Sequence, residues 1–493
     1  MSGAEAAEQA VWTPASRRAV LIAAILASSM GFIDGSVISI AIAAIRLDLG
    51  ATLPEATWVS NGYLLMLSAL TLLGGAAGDR FGLRRTFGLG IAVFVLASIV
   101  CALAPTPQML IGARVVQGIG AAFMVPGSLA IIAQAYPRAE RGRAIGLWAA
   151  ASSITSVAGP ILGGLLLTWL GDWSWRLVFA VNLPLGAAAL ALLAWRVPQD
   201  LPAGAARLDW PGAVLATLAL LSIAFGLTGE GGTTAPGAGH IALWCGAGVV
   251  LGIAFVAWEM RAKSPMLPLR LFADRRFSGA NGLTFALYFA LGGTLFFLPM
   301  TMIGGWGETA ATVSIVLLPM GVLLTLLSSW SGGLADKYGP APLIAGGSLL
   351  VAASFLLLGL TAPLQQPWTV ATPLVALLGL GMGLVVSPLS TAVMTSVDDR
   401  DTGAASGVNN AVARVSGLVA VALLGAVVAG VYGGNGTAVA AGTTFGLPAA
   451  NLEPAIEAAR LQATDAAFAA VCYVTAALAL ASAAIAWLTQ ERR

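Results

Sequence analysis

"GGAAGDRFGLRRTF", residues 74–87, is a short charged turn between two long apolar stretches, and its pattern returns as "GGLADKYGPAPL", residues 332–343. Both copies read glycine, three residues, aspartate, base, aromatic, glycine. The first has Gly75, Asp79, Arg80, Phe81 and Gly82; the second has Gly332, Asp336, Lys337, Tyr338 and Gly339. A second echo follows each, "RGRAIG" at 141–146 and "DTGAASG" at 401–407. The chain therefore reads as two similar halves. Halves of this kind suit a protein that rocks about a site near the middle of a bilayer, a symmetry that a channel or a membrane enzyme does not need.

Outward from these turns, apolar runs near 20 residues fill the sequence. Of the 493 residues, 58% are hydrophobic and only 9% are charged, against roughly a quarter charged in soluble globular proteins. At about 1.5 Å rise per residue each run can cross a hydrocarbon core of roughly 30 Å as a helix with its backbone satisfied internally. Fourteen such runs are expected, from 19–43 to 467–488, the seventh at 211–229 merging into "GEGGTTAPGAG". The fold class is an all-α integral membrane protein with two six-helix bundles and two inserted helices. Residues 1–200 form the N-terminal bundle, 201–276 the inserted pair and its linker, and 277–493 the C-terminal bundle.

Net charge is only +2, but the 24 Lys and Arg are unevenly placed. Most fall in alternate connections, including Arg80, Arg84 and Arg85; Arg138, Arg141 and Arg143; Arg207; Arg400; and Arg492 with Arg493. Arg46, Arg176 and Arg460 fall on the other side, and Arg114 and Arg414 inside spans. This asymmetry puts both termini in the cytoplasm and requires an even number of spans. The first span is too long for a signal-peptide core and is expected to stay in the mature protein. Cys101, Cys245 and Cys472 are isolated, so neither a disulfide framework nor a metal site is expected. A Walker loop, a His pair and paired intramembrane carboxylates are missing from the sequence, which argues against an enzyme or an ATP-driven pump.

Asp34, in "GFIDGSVISIAIAAI" (31–45), is the sole acid in the interior of a span; Glu230, Glu259 and Glu308 sit near span ends. A carboxylate at that depth costs about 3 kcal/mol by insertion scales, so it should face the bundle interior, be paired, or be protonated. Counted from their outer ends, Asp34 lies about 16 Å into the first span and Arg114 about 8 Å into the fourth. Tilt brings them within reach of each other. Such a pair is either a proton switch, gaining and losing a proton as its hydration changes, or a permanent ion pair. "TSVAGPILGG" (155–164) places Thr155, Gly159 and Gly163 on one helix face, where a neighbouring helix can approach closely, while Pro160 bends the span. The polar residues Asn61, Tyr63, Asn281, Asn409, Asn410 and Arg414 are candidates for lining a cavity or for hydrogen bonding between helices. "RAKSPMLPLRLFADRRF" (261–277) reads as an interfacial linker, and "NLEPAIEAARLQATDAAF" (451–468) as an amphipathic segment outside the membrane.

Taken together, these stretches resemble the major facilitator superfamily, in its fourteen-span drug:proton antiporter branch. The family's loop motif is matched at Gly75, Asp79, Arg80, Gly82 and Arg84, with departures at Ala77, Gly78 and Leu83. Its fourth-span motif is complete in "RVVQGIGAA", which carries Arg114, Gln117, Gly118 and Gly120. The antiporter motif is matched at Gly159, Pro160, Gly163 and Gly164, with Thr155 in place of its first glycine, and "IDGSVISIAIA" keeps Asp34. "LDWPGA" (208–213), "PMLPLRLF" (265–272) and "SGVNNAV" (406–412) resemble further stretches of the branch.

The resemblance implies a proton-coupled exporter of amphipathic, cationic drugs or other small molecules, working by alternating access in the cytoplasmic (inner) membrane of a bacterium. Asp34, Arg114 and Gln117 would serve coupling and substrate. Gly75, Asp79, Arg80, Gly82, Arg84, Gly332, Asp336, Lys337 and Gly339 would form a cytoplasmic gate, with charge pairs joining Asp79 to Arg80 or Arg84 and Asp336 to Lys337. Thr155, Gly159, Pro160, Gly163 and Gly164 would form a helix seam. No cofactor is expected, the proton gradient being the energy source. Expected partners are the substrate, protons and the lipid bilayer, with no nucleic acid and with room for a periplasmic adaptor. Export of a lipid or a self-made metabolite, and a membrane sensor that does not transport, are the other readings.

Overall fold

The computed structural model describes residues 12–198, 208–228, 237–398 and 401–491. Glu230, Arg207, Arg400, Arg492, Arg493 and the 200/201 boundary lie outside the described residues, as does the side chain of Arg138. Among the described residues there is no strand, and fourteen helices are long and apolar enough to span a bilayer. In chain order they are α1 Pro14–Leu49, α2 Leu53–Phe81, α3 Leu83–Ala102, α4 Pro107–Ala135, α5 Glu140–Leu170, α6 Asp172–Arg196 and α7 Trp210–Thr228. The rest are α8 Ala238–Glu259, α9 Arg275–Gly305, α10 Ala310–Tyr338, α11 Pro340–Leu364, α12 Pro367–Thr395, α13 Thr402–Gly433 and α14 Pro454–Thr489. The face where α1 begins and α14 ends is called the terminal face below.

Local sequence sets the helix ends. Thr13, Thr52, Thr106 and Thr309 each cap an N-terminus with a side-chain oxygen, and Thr52 with Glu55 completes a capping box. The repeated turns obey one geometry. Gly82 ends α2 at φ 96° and Gly339 ends α10 at φ 81°, and each amide bonds back four residues, to Gly78 and Ala335. Both glycines take backbone conformations that a side chain would strain, which explains why the pattern closes on glycine each time.

In the N-terminal half, α2 and α3 pack on α4, and α1 packs on α5 and α6; in the C-terminal half, α11 and α9 pack on α14, and α10 on α12. The halves meet along two seams, α2 with α13 and α5 with α10. Of the inserted pair, α7 touches both α2 and α13, while α8 packs on α7 and turns Leu243, Val249, Val250 and Ile253 outward. A polar clasp ties the pair down at the terminal face. Asp209 accepts from the Gly212 amide at 3.0 Å and the Trp258 indole at 2.7 Å, and Glu259 accepts from the Leu267 amide at 2.9 Å. Burial would raise the Asp209 carboxyl, but these donors, with Glu259, outweigh it and hold the group below its usual range.

Two polar stretches pack on protein. Residues 454–468 form the first turns of α14, a continuous helix of 36 residues with Arg460 and Asp465 buried. The guanidinium of Arg460 reaches the Gly304 carbonyl at 2.6 Å and Glu457 at 2.7 Å, so the polar groups face protein. The 261–277 linker also packs on protein, with Leu271 in the main core cluster and Arg270 2.5 Å from Asp401.

Candidate functional site

The centre of the N-terminal half is polar and sealed. Arg114 and Gln117, three residues apart on α4, face α1 together. The Arg114 Nη1 donates to Asp34 Oδ2 at 2.6 Å and to Gln117 Oε1 at 2.7 Å, and its Nε donates to the Val59 carbonyl at 2.9 Å. Gln117 Nε2 donates to Asp34 Oδ1 at 3.2 Å and to Ser98 Oγ at 2.9 Å; Ser98 in turn donates to the Phe94 carbonyl at 2.8 Å. Asn182 of α6 donates to Ser98 at 3.2 Å. The Tyr63 ring lies 4.4 Å from the guanidinium carbon. Asp34 is 0% exposed and Arg114 1%. An ion pair so buried is tolerated only when the remaining lone pairs and protons are satisfied, which is what Gln117 and Val59 do here. Glycines in the same α4 motif make the approach possible. A Cβ at Gly118 would stand 2.4 Å from the Tyr63 carbonyl, and one at Gly120 would stand 2.5 Å from the Phe94 nitrogen.

One residue beyond Asp34, the surroundings change. Gly35, Ile38 and Ser39 line a cavity of about 430 Å³ between the halves, whose other walls come from α2, α9, α12 and α13. Asn409, Asn410 and Arg414 are on its wall; Asn61, Tyr63 and Asn281 are not. Asn281 accepts from Asn409 at 3.2 Å, and the buried Asn61 amide has no partner among the described residues. The described lining contains no acid, so the expectation of a cationic substrate finds no counter-charge in it.

The cavity reaches Ser390, Met394 and Ser406, in the terminal-face halves of α12 and α13. The opposite end is shut. Thr168 accepts from the Ala311 amide at 3.0 Å, Ser314 donates to the Pro160 carbonyl at 2.7 Å, and Arg46, 1% exposed, donates to Phe445 and Thr444. The structure is thus a terminal-face-open state. The "TSVAGPILGG" helix serves two contacts: Thr155 meets Ser29 at 3.1 Å and Gly159 and Gly163 admit α1, whereas Gly164 admits α10, where a Cβ would stand 2.5 Å from the Ala310 carbonyl.

At the repeated turns Asp79, Arg80, Asp336 and Lys337 are exposed. Among the described residues no ion pair joins Asp79 to Arg80 or Arg84 in this state; Arg80 lies over Phe81, and Arg84 donates to the Ala194 carbonyl at 3.1 Å. Lys337 lies 5.2 Å from the Tyr338 ring, and Asp336 borders a small pocket with Arg276 and Glu491. Sequence reasoning missed Ser98, Asn182 and the Val59 carbonyl. Two ordinary polar side chains and a backbone oxygen carry no pattern that marks them in advance.

A family model described as the Major Facilitator Superfamily matches residues 24–421. The methylenomycin A resistance protein of Bacillus subtilis is 34% identical over 411 residues, covering 83% of this chain and 87% of that protein. A probable actinorhodin transporter of Streptomyces coelicolor is 33% identical over 438 residues, covering 86% and 75%. Among solved structures, a bacterial homolog of the human lysosomal transporter Spinster is similar with a TM-score of 0.70 at 18% identity over 97% of each chain.

Proposed function

The chain belongs to the Major Facilitator Superfamily, as an integral membrane transporter of small molecules, and from that premise we propose that it is a proton-coupled antiporter that exports amphipathic small molecules by alternating access. The single observation that carries this reading is the sealed Asp34–Arg114–Gln117 cluster standing one residue away from the wall of the central cavity. In the observed state Asp34 is paired with Arg114. Rocking of the halves opens the other face, hydrates the cluster and lets Asp34 take a proton, which releases Arg114; the return delivers the proton to the terminal face. The relatives' names support outward movement of antibiotic-like molecules.

The membrane is the bacterial cytoplasmic membrane, and the terminal face is cytoplasmic, as the basic-residue asymmetry supports. The proton gradient supplies the energy, about 1.4 kcal/mol per pH unit, with about 2.3 kcal/mol per 100 mV added for each net charge moved. In this scheme the exposed charges at Asp79, Arg80, Asp336 and Lys337, with the half-buried Arg84, make gate pairs when the cytoplasmic side closes; exposed pairs worth about 0 to 1 kcal/mol suit contacts remade every cycle. The scheme needs no periplasmic adaptor.

The test is substrate-dependent proton flux in proteoliposomes for wild type and Asp34→Asn. Loss of proton counterflow with residual substrate binding is expected. Unchanged coupling removes Asp34 from the mechanism and turns attention to Glu308.

A further inference from the structure

Each of the three buried arginines has protein acceptors. Arg114 has Asp34, Gln117 and Val59; Arg46 has Ala51, Phe445 and Thr444; Arg460 has Glu457, Gly304 and Gly305. Arg414 differs. It stands twelve residues into α13, about 18 Å along the helix from the terminal face, on the cavity wall, and no described residue accepts a hydrogen bond from it or pairs with its charge. Tyr288 shares the cavity wall with it, and a phenol carries no opposite charge at neutral pH.

The cavity's other polar groups do not compensate it: among the described residues neither Asn409 nor Asn410 accepts a hydrogen bond from it with its side-chain oxygen, and their amide donors point elsewhere, Asn409 to Asn281 and Thr284 at 3.2 and 2.8 Å and Asn410 to the Ser406 carbonyl at 3.0 Å. The intramembrane acid Asp34 has both oxygens engaged by Arg114 and Gln117. A guanidinium at this depth is costly without a partner, and its planar fork matches a carboxylate, sulfonate or phosphate in two parallel hydrogen bonds. Leu64, Leu291, Leu295, Phe296 and Val421 give the same cavity an apolar wall, and its volume lies in the range of drug-sized ligand sites.

We propose that the cargo is an amphipathic anion, whose acidic group is held by Arg414 while its apolar body lies against the leucine and phenylalanine wall. This rests on the transport reading above and fixes its substrate class. The proton cluster stands close to such cargo, because Asp34 precedes Gly35 of the cavity wall by one residue. Exchange of one proton for one such anion moves two charges in the same sense, and export then responds to membrane potential as well as to pH.

Three matched probes test the class: 1-pyrenebutyrate, 1-pyrenebutanol and a pyrenebutyl-trimethylammonium salt, titrated against the purified full chain in detergent by fluorescence. The butyrate is expected to bind at least tenfold more tightly than the ammonium probe. Arg414→Gln should collapse the butyrate-to-butanol affinity ratio toward one, and Arg414→Lys should restore part of it. Equal or tighter binding of the ammonium probe by wild type overturns the proposal without need of any variant. So does displacement of pyrenebutyrate by inorganic phosphate at comparable concentration, which would make Arg414 a small-ion site. The transport reading fails separately. Butyrate selectivity without proton-driven movement in proteoliposomes would spare the anion site and sink the antiporter, whereas proton-driven movement of the ammonium probe would do the reverse.

Discussion

Arg114 in α4 and Arg414 in α13 carry the same charge inside membrane spans. Arg114 is enclosed by an aspartate, a glutamine and a backbone carbonyl at 2.6 to 2.9 Å, while Arg414 faces an open cavity with no acceptor among the described residues. A low-dielectric interior makes a satisfied charge rigid and an unsatisfied one costly. The N-terminal half has thus used its arginine internally, and the C-terminal half keeps its arginine available to something that enters.

The sharpest way to break this contrast is Asp34→Ala, which strands Arg114 without its counter-charge. A loss of about 3 to 5 kcal/mol is expected, read as a large drop in the thermal unfolding midpoint in detergent. Replacing both Asp34 and Arg114 by leucine should recover most of that stability, since no buried charge is left, yet proton-coupled transport should stay absent. Next comes Gly164→Val. Its Cβ would stand 2.0 Å from Ser314 Oγ and 2.5 Å from the Ala310 carbonyl, so about 1 to 3 kcal/mol of overpacking is expected at the closed seam. Cysteine labelling at Thr168 should rise in this variant; unchanged labelling would show that the seam does not hold the closed state. Tyr63→Ala removes the ring over Arg114 and should cost about 0.5 to 2 kcal/mol beyond the lost packing. The smallest effect is expected from Arg414→Gln, within about 0.5 kcal/mol of wild type or slightly stabilising, because a charge with no partner contributes nothing when removed. A loss as large as that of Asp34→Ala would erase the distinction between the two arginines.

Much of this arrangement was readable from residue spacing. Apolar length located the fourteen helices, and the repeated glycine–aspartate turns gave the two halves, because both depend on local geometry. The nearness of Asp34 and Arg114 was legible from their depths, since a lone intramembrane acid has few possible partners. Ser98, Asn182 and the Val59 carbonyl were not readable: their roles depend on which faces of α2, α3 and α6 turn inward, and hydrophobic sequence on all sides of a membrane helix hides its orientation. The fate of Arg46 was hidden for the same reason. Its place in the sequence suggested a loop, but α1 continues to Leu49 and carries it into a buried lock against Phe445.

The position of α7 has a consequence for molecules already dissolved in the bilayer. Because it lies along both α2 and α13, it roofs one of the two long crevices through which a greasy solute would slip sideways between the halves. Among the described residues no inserted helix roofs the other crevice, between α5 and α10, and Leu147, Ile154, Leu326 and Trp330 are bare near its cytoplasmic-side mouth in the proposed orientation. A solute sliding in from the lipid would thus meet an obstacle on one side that it does not meet on the other.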